Sequence, residues 1–173
     1  MDDLDSWLAE SYPRAYRTAC LVLRSPAEAE DAVQDAFLRV WRFRDAIPPG
    51  DGRRAWLYRV VVNACLSRLR AEKVWRQRAD DGALDGLPST GRGPQQDTED
   101  AALGRCVAEA LSRLPEHLRV PVVLRYYSGL AEKEIAVAIQ RRPGTVKSRL
   151  SEARRRLADD PALVAWTELE VAR

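Results

Sequence analysis

Basic side chains are concentrated near the carboxy-terminal end of the chain, between Arg141 and Arg156. This segment holds seven Lys and Arg residues and a single acid, Glu152. One-sided positive charge on a helix is suited to neutralising the phosphates of a nucleic-acid duplex. A run of bases can also be only a solvated helix face, so this interpretation depends on the elements that carry the charges.

A second basic group lies between Arg53 and Arg78, where eight bases accompany one acid and large aromatic residues are interleaved with them. Aromatic rings can stack on unpaired nucleotide bases while cations neutralise the strand's phosphates. This pattern indicates binding to a single strand. Trp56 and Tyr58 can equally well be core residues, and for Trp56 the sequence leaves both interpretations open.

Other kinds of chemistry have little support. His117 is the only histidine and has no Cys or His at ligand spacing, so neither a metal nor a cofactor is expected. Cys20, Cys65 and Cys106 stand far apart in apolar stretches, which predicts buried free thiols. The sequence has no Gly-rich phosphate loop and no convergent carboxylate set, so no enzymatic activity is expected. No apolar run is long enough for a membrane span, and we expect a cytoplasmic protein without membrane contact of its own.

The carboxy-terminal basic segment belongs to a helix-turn-helix pattern. Leu130, Ile135 and Ile139 mark one short helix, and Val146, Leu150, Ala153 and Leu157 mark a second, at helical spacing. Residues 140–142 leave room only for a tight turn, and Pro143 suits the first position of a helix. The pattern predicts a DNA-reading second helix.

The amino-terminal half predicts three helices, over about 3–24, 26–43 and 53–78. Pro13 should bend or split the first. Ser25, Pro26 and Glu28 form a start signal for the second, whose early acids either favour the helix dipole or bind a partner. A strand over residues 60–62 is conceivable, but the apolar spacing around it favours helix.

Between these halves, residues 79–101 hold six acids and one base and are rich in Gly and Pro. We therefore predict an all-α protein with two small helical domains. The first covers residues 1–78 and the second 102–160; the linker at 79–101 is flexible and acidic, and residues 161–173 form an amphipathic tail.

Three segments, in this order, resemble a bacterial extracytoplasmic-function (ECF) RNA polymerase sigma factor of the sigma-70 family. AEDAVQDAFLRVWR (29–42) is similar to the family's polymerase-binding helix, and RAWLYRVVVNACLSRLR (54–70) to its promoter-melting helix. Residues 114–157 resemble its promoter-upstream-element domain. The Tyr12-Pro13 turn and the Arg-Tyr-Tyr segment at 125–127 favour an actinobacterial, SigE-like subgroup.

The resemblance implies roles for individual residues. Asp31, Gln34 and Asp35 would face the clamp helices of the polymerase's largest subunit. Promoter −10 DNA would be bound by Arg53, Arg54, Trp56, Arg59, Asn63, Arg68 and Arg70, with the loop from Ile47 to Asp51 helping Asn63 to recognise a flipped-out base. The −35 element would be bound by Arg141, Arg142, Thr145, Lys147, Ser148, Arg149 and Arg154. The linker would thread the channel that leads toward RNA exit.

Two positions depart from the family pattern. Gln140 stands where a glycine is common, and it requires either a left-handed backbone costing about 1–2 kcal/mol or a differently shaped turn. Arg142 replaces the usual serine cap, a loss that typically costs about 1 kcal/mol. Both changes are expected to affect the geometry of the turn and the preference for particular bases. The way in which the helix-turn-helix docks on DNA is expected to be unchanged.

The resemblance also implies partners: the RNA polymerase core, through its clamp helices and flap, promoter DNA and an anti-sigma factor. The free chain is expected to be a monomer. The main alternative is a stand-alone helix-turn-helix regulator that dimerises on a palindrome, although such a regulator has no need of the basic, aromatic segment at 53–78. A protein that sequesters a partner is a further alternative.

Overall fold

A computed structural model of the chain describes residues 2–50, 52–79 and 99–164, and every regular element in these ranges is a helix. The contacts divide the chain into two compact units, one formed mainly by the described residues up to 79 and the other mainly by those from 99 onward. The predicted all-α class with two helical domains is therefore confirmed. Most of the predicted linker and residues 165–173 of the predicted tail lie outside the described residues, and the domain limits stay predictions.

The first unit consists of α1 (Asp2–Leu23), α2 (Pro26–Arg42) and α3 (Gly52–Ala79), with a short 3-10 turn at Arg44–Ala46 after α2. Each of the three helices packs against the other two. Small and branched side chains meet at the centre: Ala15, Ala19, Val22, Ala32, Val33, Ala36, Val40, Leu57, Val61 and Val62. Small residues on α1 and α2 let the helix axes approach closely, and branched residues fill the remaining space.

Local signals explain where α2 begins. Ser25 takes an extended conformation, and its hydroxyl oxygen accepts a hydrogen bond from the Glu28 backbone N–H at 3.3 Å, while Pro26 occupies the first turn. For α1, the sequence predicted that Pro13 would either bend or split the helix. The helix contains Pro13 but continues from Asp2 to Leu23 as one element, so the proline does not split it.

The third helix runs without interruption through Val60, Val61 and Val62. Leu57, Val61 and Cys65 are spaced four residues apart and are all buried, which fits a helix and excludes the conceivable strand. Tyr58 is 3% exposed, so it belongs to the core. Trp41 on α2 directly follows buried Val40, yet it is 40% exposed.

The second unit is formed mainly by α4 (Glu99–Arg113), α5 (Glu116–Val122), a π-helical segment (Val123–Tyr127), α6 (Glu132–Ala138) and α7 (Pro143–Ala158). Helix α5 packs on α7. The π-helical segment ends with the Ser128 N–H donating to the Val123 carbonyl at 3.0 Å, a span of five residues. The core includes Leu118, Val122, Leu124, Leu130, Ile135, Val146, Leu150 and Ala153.

The three cysteines form no disulfide, but they differ in burial. Cys65 is fully buried, and burial raises the pKa of its thiol to about 12. Cys20 and Cys106 are half-buried, so the prediction of buried thiols holds in full only for Cys65. No helix in the described part of the chain is long and apolar enough to cross a membrane.

Candidate functional site

The turn between α6 and α7 sets the geometry of the helix-turn-helix. Gln140 adopts the left-handed conformation, with φ of 53°. The N–H of Arg141 donates to the Ala136 carbonyl at 2.9 Å, and the N–H of Gln140 donates to the Val137 carbonyl at 3.3 Å. These are the two bonds of a Schellman cap, normally closed by glycine. Of the two geometries that the sequence left open, the left-handed one is present.

The two helices of the motif begin with unusual caps. Arg142 precedes α7 in an extended conformation and makes no side-chain cap hydrogen bond, as expected for arginine at this position. At the start of α6, a Glu134 carboxylate oxygen accepts from the Ala131 backbone N–H at 2.6 Å. This contact is one half of a capping box, and Ala131 cannot supply the other half.

Helix α7 buries one face and exposes another. Val146, Leu150 and Ala153 are buried, and Ile135 and Ala136 of α6 are buried beside the turn. The exposed residues of the predicted −35 set are Arg141, Arg142, Lys147, Ser148 and Arg154, and the half-buried ones are Thr145 and Arg149. The predicted residues thus lie on or beside the solvent face of one helix and its preceding turn.

Two of the polar side chains of α7, Glu152 and Ser148, make contacts within the helix itself. The Glu152 carboxylate forms an ion pair with Arg156 at 2.7 Å, one helical turn away. The Ser148 hydroxyl donates to the Thr145 carbonyl at 3.0 Å. Because the one acid of the segment is engaged with Arg156, it does not offset the charges of Lys147 and Arg154 at contact distance, and the exposed face is strongly cationic.

Acidic side chains dominate the solvent face of α2. Glu28, Asp31 and Asp35 follow one another at steps of three and four residues, which places them on the same side of the helix. All three are exposed, as is Gln34. Gln34 makes only a long hydrogen bond, 3.4 Å from its amide nitrogen to Glu30 Oε1.

Arg68 on α3 reaches across to these three carboxylates. Its guanidinium nitrogens lie 3.2 Å from Glu28 Oε2, 3.6 Å from Asp31 Oδ2 and 2.8 Å from Asp35 Oδ2. Burial by itself lowers the pKa of Arg68, but the hydrogen bonds to Asp35 and Glu28 outweigh it and leave that pKa raised. The family resemblance had implied that Arg68 binds DNA and that Asp31 and Asp35 bind the polymerase, and the structure brings Arg68 into contact with both acids.

The remaining predicted −10 residues lie along α3. Arg53, Trp56 and Asn63 are half-buried and spaced three and seven residues apart, so they share one face of the helix. Arg54, Arg59 and Arg70 are exposed. The Arg53 guanidinium lies 4.0 Å from the centre of the Trp7 ring, a cation–π contact that anchors it to α1.

An open cleft of about 820 Å³ lies at the amino-terminal end of α3. Its walls include Ile47 and Pro48 from the predicted base-recognition loop, together with Arg53. Trp41 and Arg44 also line it, and the Arg44 guanidinium lies 5.7 Å from the Trp41 ring centre. Asp51 lies outside the described residues.

The sequence did not identify Trp41 and Arg44 as residues that line this cleft. Trp41 follows buried Val40 and lies four residues after half-buried Phe37, so the spacing alone suggested core. A large aromatic flanked by arginines at the end of a helix was the available signal. Across the residues that the structure describes, no cluster of three or more His, Cys, Asp or Glu side chains is arranged to hold a metal ion.

The chain matches two family models. Residues 8–74 match Sigma-70 region 2, and residues 104–157 match Sigma-70 region 4. These matches cover most of α1, all of α2 and most of α3 in the first unit, and the helix-turn-helix as far as Leu157 in the second. The two domains are therefore sigma-70 domains.

Proteins with similar sequences identify the group of sigma factors to which the chain belongs. The chain is 32% identical over 159 residues to the ECF RNA polymerase sigma factor SigE of Mycolicibacterium smegmatis, covering 92% of this chain and 62% of that protein. It is 35% identical over 154 residues to SigM of Mycobacterium tuberculosis, covering 89% and 74%, respectively. The ECF sigma-E factor of Escherichia coli is 30% identical over 148 residues, 80% of this chain and 78% of that one. The chain belongs to the ECF family of RNA polymerase sigma factors, which act in transcription initiation.

Two solved structures are similar to this fold. The sigma factor RpoE of Bartonella quintana, in complex with the anti-sigma factor NepR, superposes with a TM-score of 0.78 at 27% identity, covering 92% of this chain and 96% of that one. CnrH, in complex with the cytosolic domain of CnrY, gives a TM-score of 0.62 at 22% identity, covering 90% and 85%. The latter supports the fold alone.

Proposed function

We propose that this chain directs a bacterial RNA polymerase core to specific promoters and assists in opening them. It carries no catalytic activity of its own and acts in the cytoplasm, where it is monomeric until it binds the polymerase. The observation that supports this most strongly is the pair of sigma-70 matches, one for each helical unit.

The first unit is proposed to make two kinds of contact. The exposed face of α2, with Asp31, Gln34 and Asp35, binds the clamp helices of the polymerase's largest subunit. Helix α3 holds the melted −10 strand through Arg53, Arg54, Arg59 and Arg70, with Trp56 and Asn63 on one face. The cleft beside residues 47–50 is large enough to receive a flipped-out base.

The second unit is proposed to bind the −35 duplex through the exposed face of α7 and the turn before it, and to contact the polymerase flap. Arg141 and Arg142 directly precede α7. At the amino terminus of that helix, backbone N–H groups and the helix dipole also favour phosphate binding. Lys147, Ser148, Arg149 and Arg154 extend along the helix beside Thr145. Phosphate contacts fix the register of such a helix, and contacts to base edges specify the sequence.

Run-off transcription tests the proposal as a whole. Purified chain and sigma-free polymerase core are mixed with a library of genomic promoter fragments, and transcripts are sequenced from their 5′ ends. We expect start sites preceded by a shared pair of −35 and −10 elements at a constant spacing. Failure to form a complex and to initiate on any template would refute the proposed function.

A pair of matched variants tests the role of α7. Arg154→Gln removes an exposed base from α7, and Arg105→Gln removes one from α4. With reconstituted polymerase, Arg154→Gln should weaken promoter binding about equally across sequences if it contacts phosphate, and reduce the salt slope by about one. Arg105→Gln should leave both unchanged. Equal effects of the two variants would contradict a specific role for α7.

An anti-sigma factor is a further proposed partner, because the Bartonella relative was solved in complex with one. It would cover the exposed basic and apolar faces and exclude the polymerase. Pull-down of the chain from its source cells, followed by competition with polymerase core, tests this. The stand-alone regulator is disfavoured, since the first unit matches a sigma-70 domain.

A further inference from the structure

In the part of the chain that the structure describes, Glu28, Asp31 and Asp35, the acid row of α2, form ion pairs with a basic side chain from α3, Arg68. Arg68 is separated from Glu28 and Asp35 by 40 and 33 residues, and its guanidinium bridges both. It also lies 3.6 Å from Asp31. The packing of α3 against α2 therefore brings one cation to three anions.

The contacts of Arg68 with the acids differ in length and in the exposure of the partners. The Arg68–Asp35 hydrogen bond is the shortest, at 2.8 Å, and the Asp31 contact is an ion pair without hydrogen-bond geometry. Arg68 is 27% exposed, whereas Asp31 and Asp35 are 63% and 54% exposed. The arginine is thus the more buried partner, and the carboxylates extend from it toward solvent.

The contacts explain how three acids can share one helix face. Carboxylates three and four residues apart on a helix repel one another and turn away when nothing holds them. The planar fork of arginine can hold two carboxylates at once, which the single ammonium of lysine does less well. Asp35 and Glu28 each accept a hydrogen bond from Arg68 on one carboxylate oxygen, which leaves the second oxygen of each for a partner.

Arg68 is correspondingly ill placed to contact DNA. Its two terminal nitrogens are directed at carboxylates, and binding a phosphate would require breaking a pair whose hydrogen bonds raise its pKa. The neighbouring bases on α3, Arg59 and Arg70, are exposed and have no ion pair with these acids. Single-strand binding is therefore assigned to those residues.

We propose that Arg68 is a positioning residue for polymerase binding: it holds Asp35 and Asp31 of α2 in the orientation that the polymerase core recognises, and it does not contact promoter DNA. This inference rests on the proposed function, because it uses the assignment of Asp31 and Asp35 to the polymerase. It changes the role of one residue that the family resemblance had placed among the −10 contacts.

The test is a double-mutant cycle on the affinity of the full chain for sigma-free polymerase core. Arg68→Gln should weaken binding about three- to fivefold, the scale of a partly exposed ion pair. In an Asp35→Asn background the same change should cost less than about twofold, because its main partner is gone. Arg68→Lys should fall between Arg68→Gln and the parent chain. Arg17→Gln, which removes an exposed arginine from α1, is the matched control and should have no effect.

A second readout separates positioning from DNA contact and from loss of folding. At saturating polymerase, binding to a fork-junction promoter fragment should be unchanged by Arg68→Gln and weakened by Arg59→Gln. An Arg68→Gln penalty that persists undiminished in the Asp35→Asn background would mean a general structural role and overturn the inference. The inference would also be overturned if Arg68→Gln left polymerase binding unchanged or made it tighter. The same holds if Arg68→Gln weakened binding to the fork-junction fragment as much as Arg59→Gln does.

The controls also distinguish this inference from the proposed function. If Asp31→Asn and Asp35→Asn both leave polymerase affinity intact, the assignment of the acids to the polymerase is wrong. If those variants weaken binding and Arg68→Gln does not, only the positioning role of Arg68 is wrong.

Discussion

At the scale of single residues, Asp160 shows how one carboxylate fixes the end of the second unit. Arg113 Nε and Nη2 donate to its two oxygens at 2.9 and 2.7 Å, and Asp160 Oδ1 also accepts from the Ala162 N–H at 3.0 Å. Asp160 is only 8% exposed. This pair connects the end of α4 to the chain beyond α7, where residues 161–164 are again helical.

These contacts make the stability of the second unit depend on pH. The hydrogen bonds from Arg113, opposed by burial, hold the pKa of Asp160 below its usual value. Its contribution is therefore present above the ordinary carboxyl pKa and is lost as the pH falls through the lowered one. Asp160→Asn should lower the unfolding free energy at pH 7, and the difference from the parent chain should vanish in strong acid. Urea unfolding followed by circular dichroism across this pH range measures it.

Glu109→Gln is the matched control for Asp160→Asn. The Glu109 carboxylate contacts the same arginine at 2.8 Å, but from an exposed position one helical turn away. Exposed ion pairs of this kind contribute little to stability. Glu109→Gln should therefore lower the unfolding free energy less than Asp160→Asn does. Equal losses for the two variants, or an Asp160→Asn difference that grows toward low pH, would contradict this account.

At the scale of elements, the turn of the helix-turn-helix combines a normal hydrogen-bond pattern with an unfavourable residue. The Schellman bonds form around Gln140 although its φ is 53°. Burial of Ile135, Ala136 and Val146 on either side holds the two helices together and offsets the local cost. The helix-turn-helix geometry therefore forms without the usual glycine.

Relief of this strain is measurable. Gln140→Gly should raise the unfolding free energy of the second unit by about 1 kcal/mol, because glycine adopts positive φ without a Cβ clash. Gln140→Ala removes the same side-chain contacts but keeps the strain, so it should give no gain. Denaturant unfolding of the three proteins supplies the comparison, and an alanine variant as stable as the glycine variant would refute the strain argument.

At the scale of the whole molecule, segregated charge matters more than the net charge of +2. The second unit presents a cationic face on α7, whereas the first presents an acid row on α2 and bases along α3. These separate acidic and basic surfaces suit the proposed binding of polymerase and DNA together. No single surface needs to bind tightly.

The free chain should consequently bind promoter duplex weakly, with a dissociation constant of about 10⁻⁶ M or higher at physiological salt. Adding polymerase core should bring in the remaining affinity and make binding site-specific. Gel-shift titrations with and without the core measure both states on the same fragment. Nanomolar, site-specific binding by the isolated chain would contradict this prediction and favour the stand-alone regulator.

The sequence by itself determined the features that depend on near neighbours. Helix spacing predicted the two helices of the motif, Ser25 and Pro26 predicted the start of α2, and the pattern after residue 139 defined a turn that must contain Gln140. Helix periods and caps are set by residues three to five positions apart, so these features are visible in the sequence. The resemblance to sigma factors rested on the same local motifs.

Only the tertiary structure decided which distant side chains meet. Arg68 contacts Asp35 across 33 residues and Arg113 contacts Asp160 across 47, and no local period encodes either pair. Trp41 stands at core spacing, yet it is 40% exposed, since the cleft formed with residues 44–50 leaves that side of α2 open. Such contacts depend on how whole helices pack, which fixes the partner of each long polar side chain only after the fold has formed.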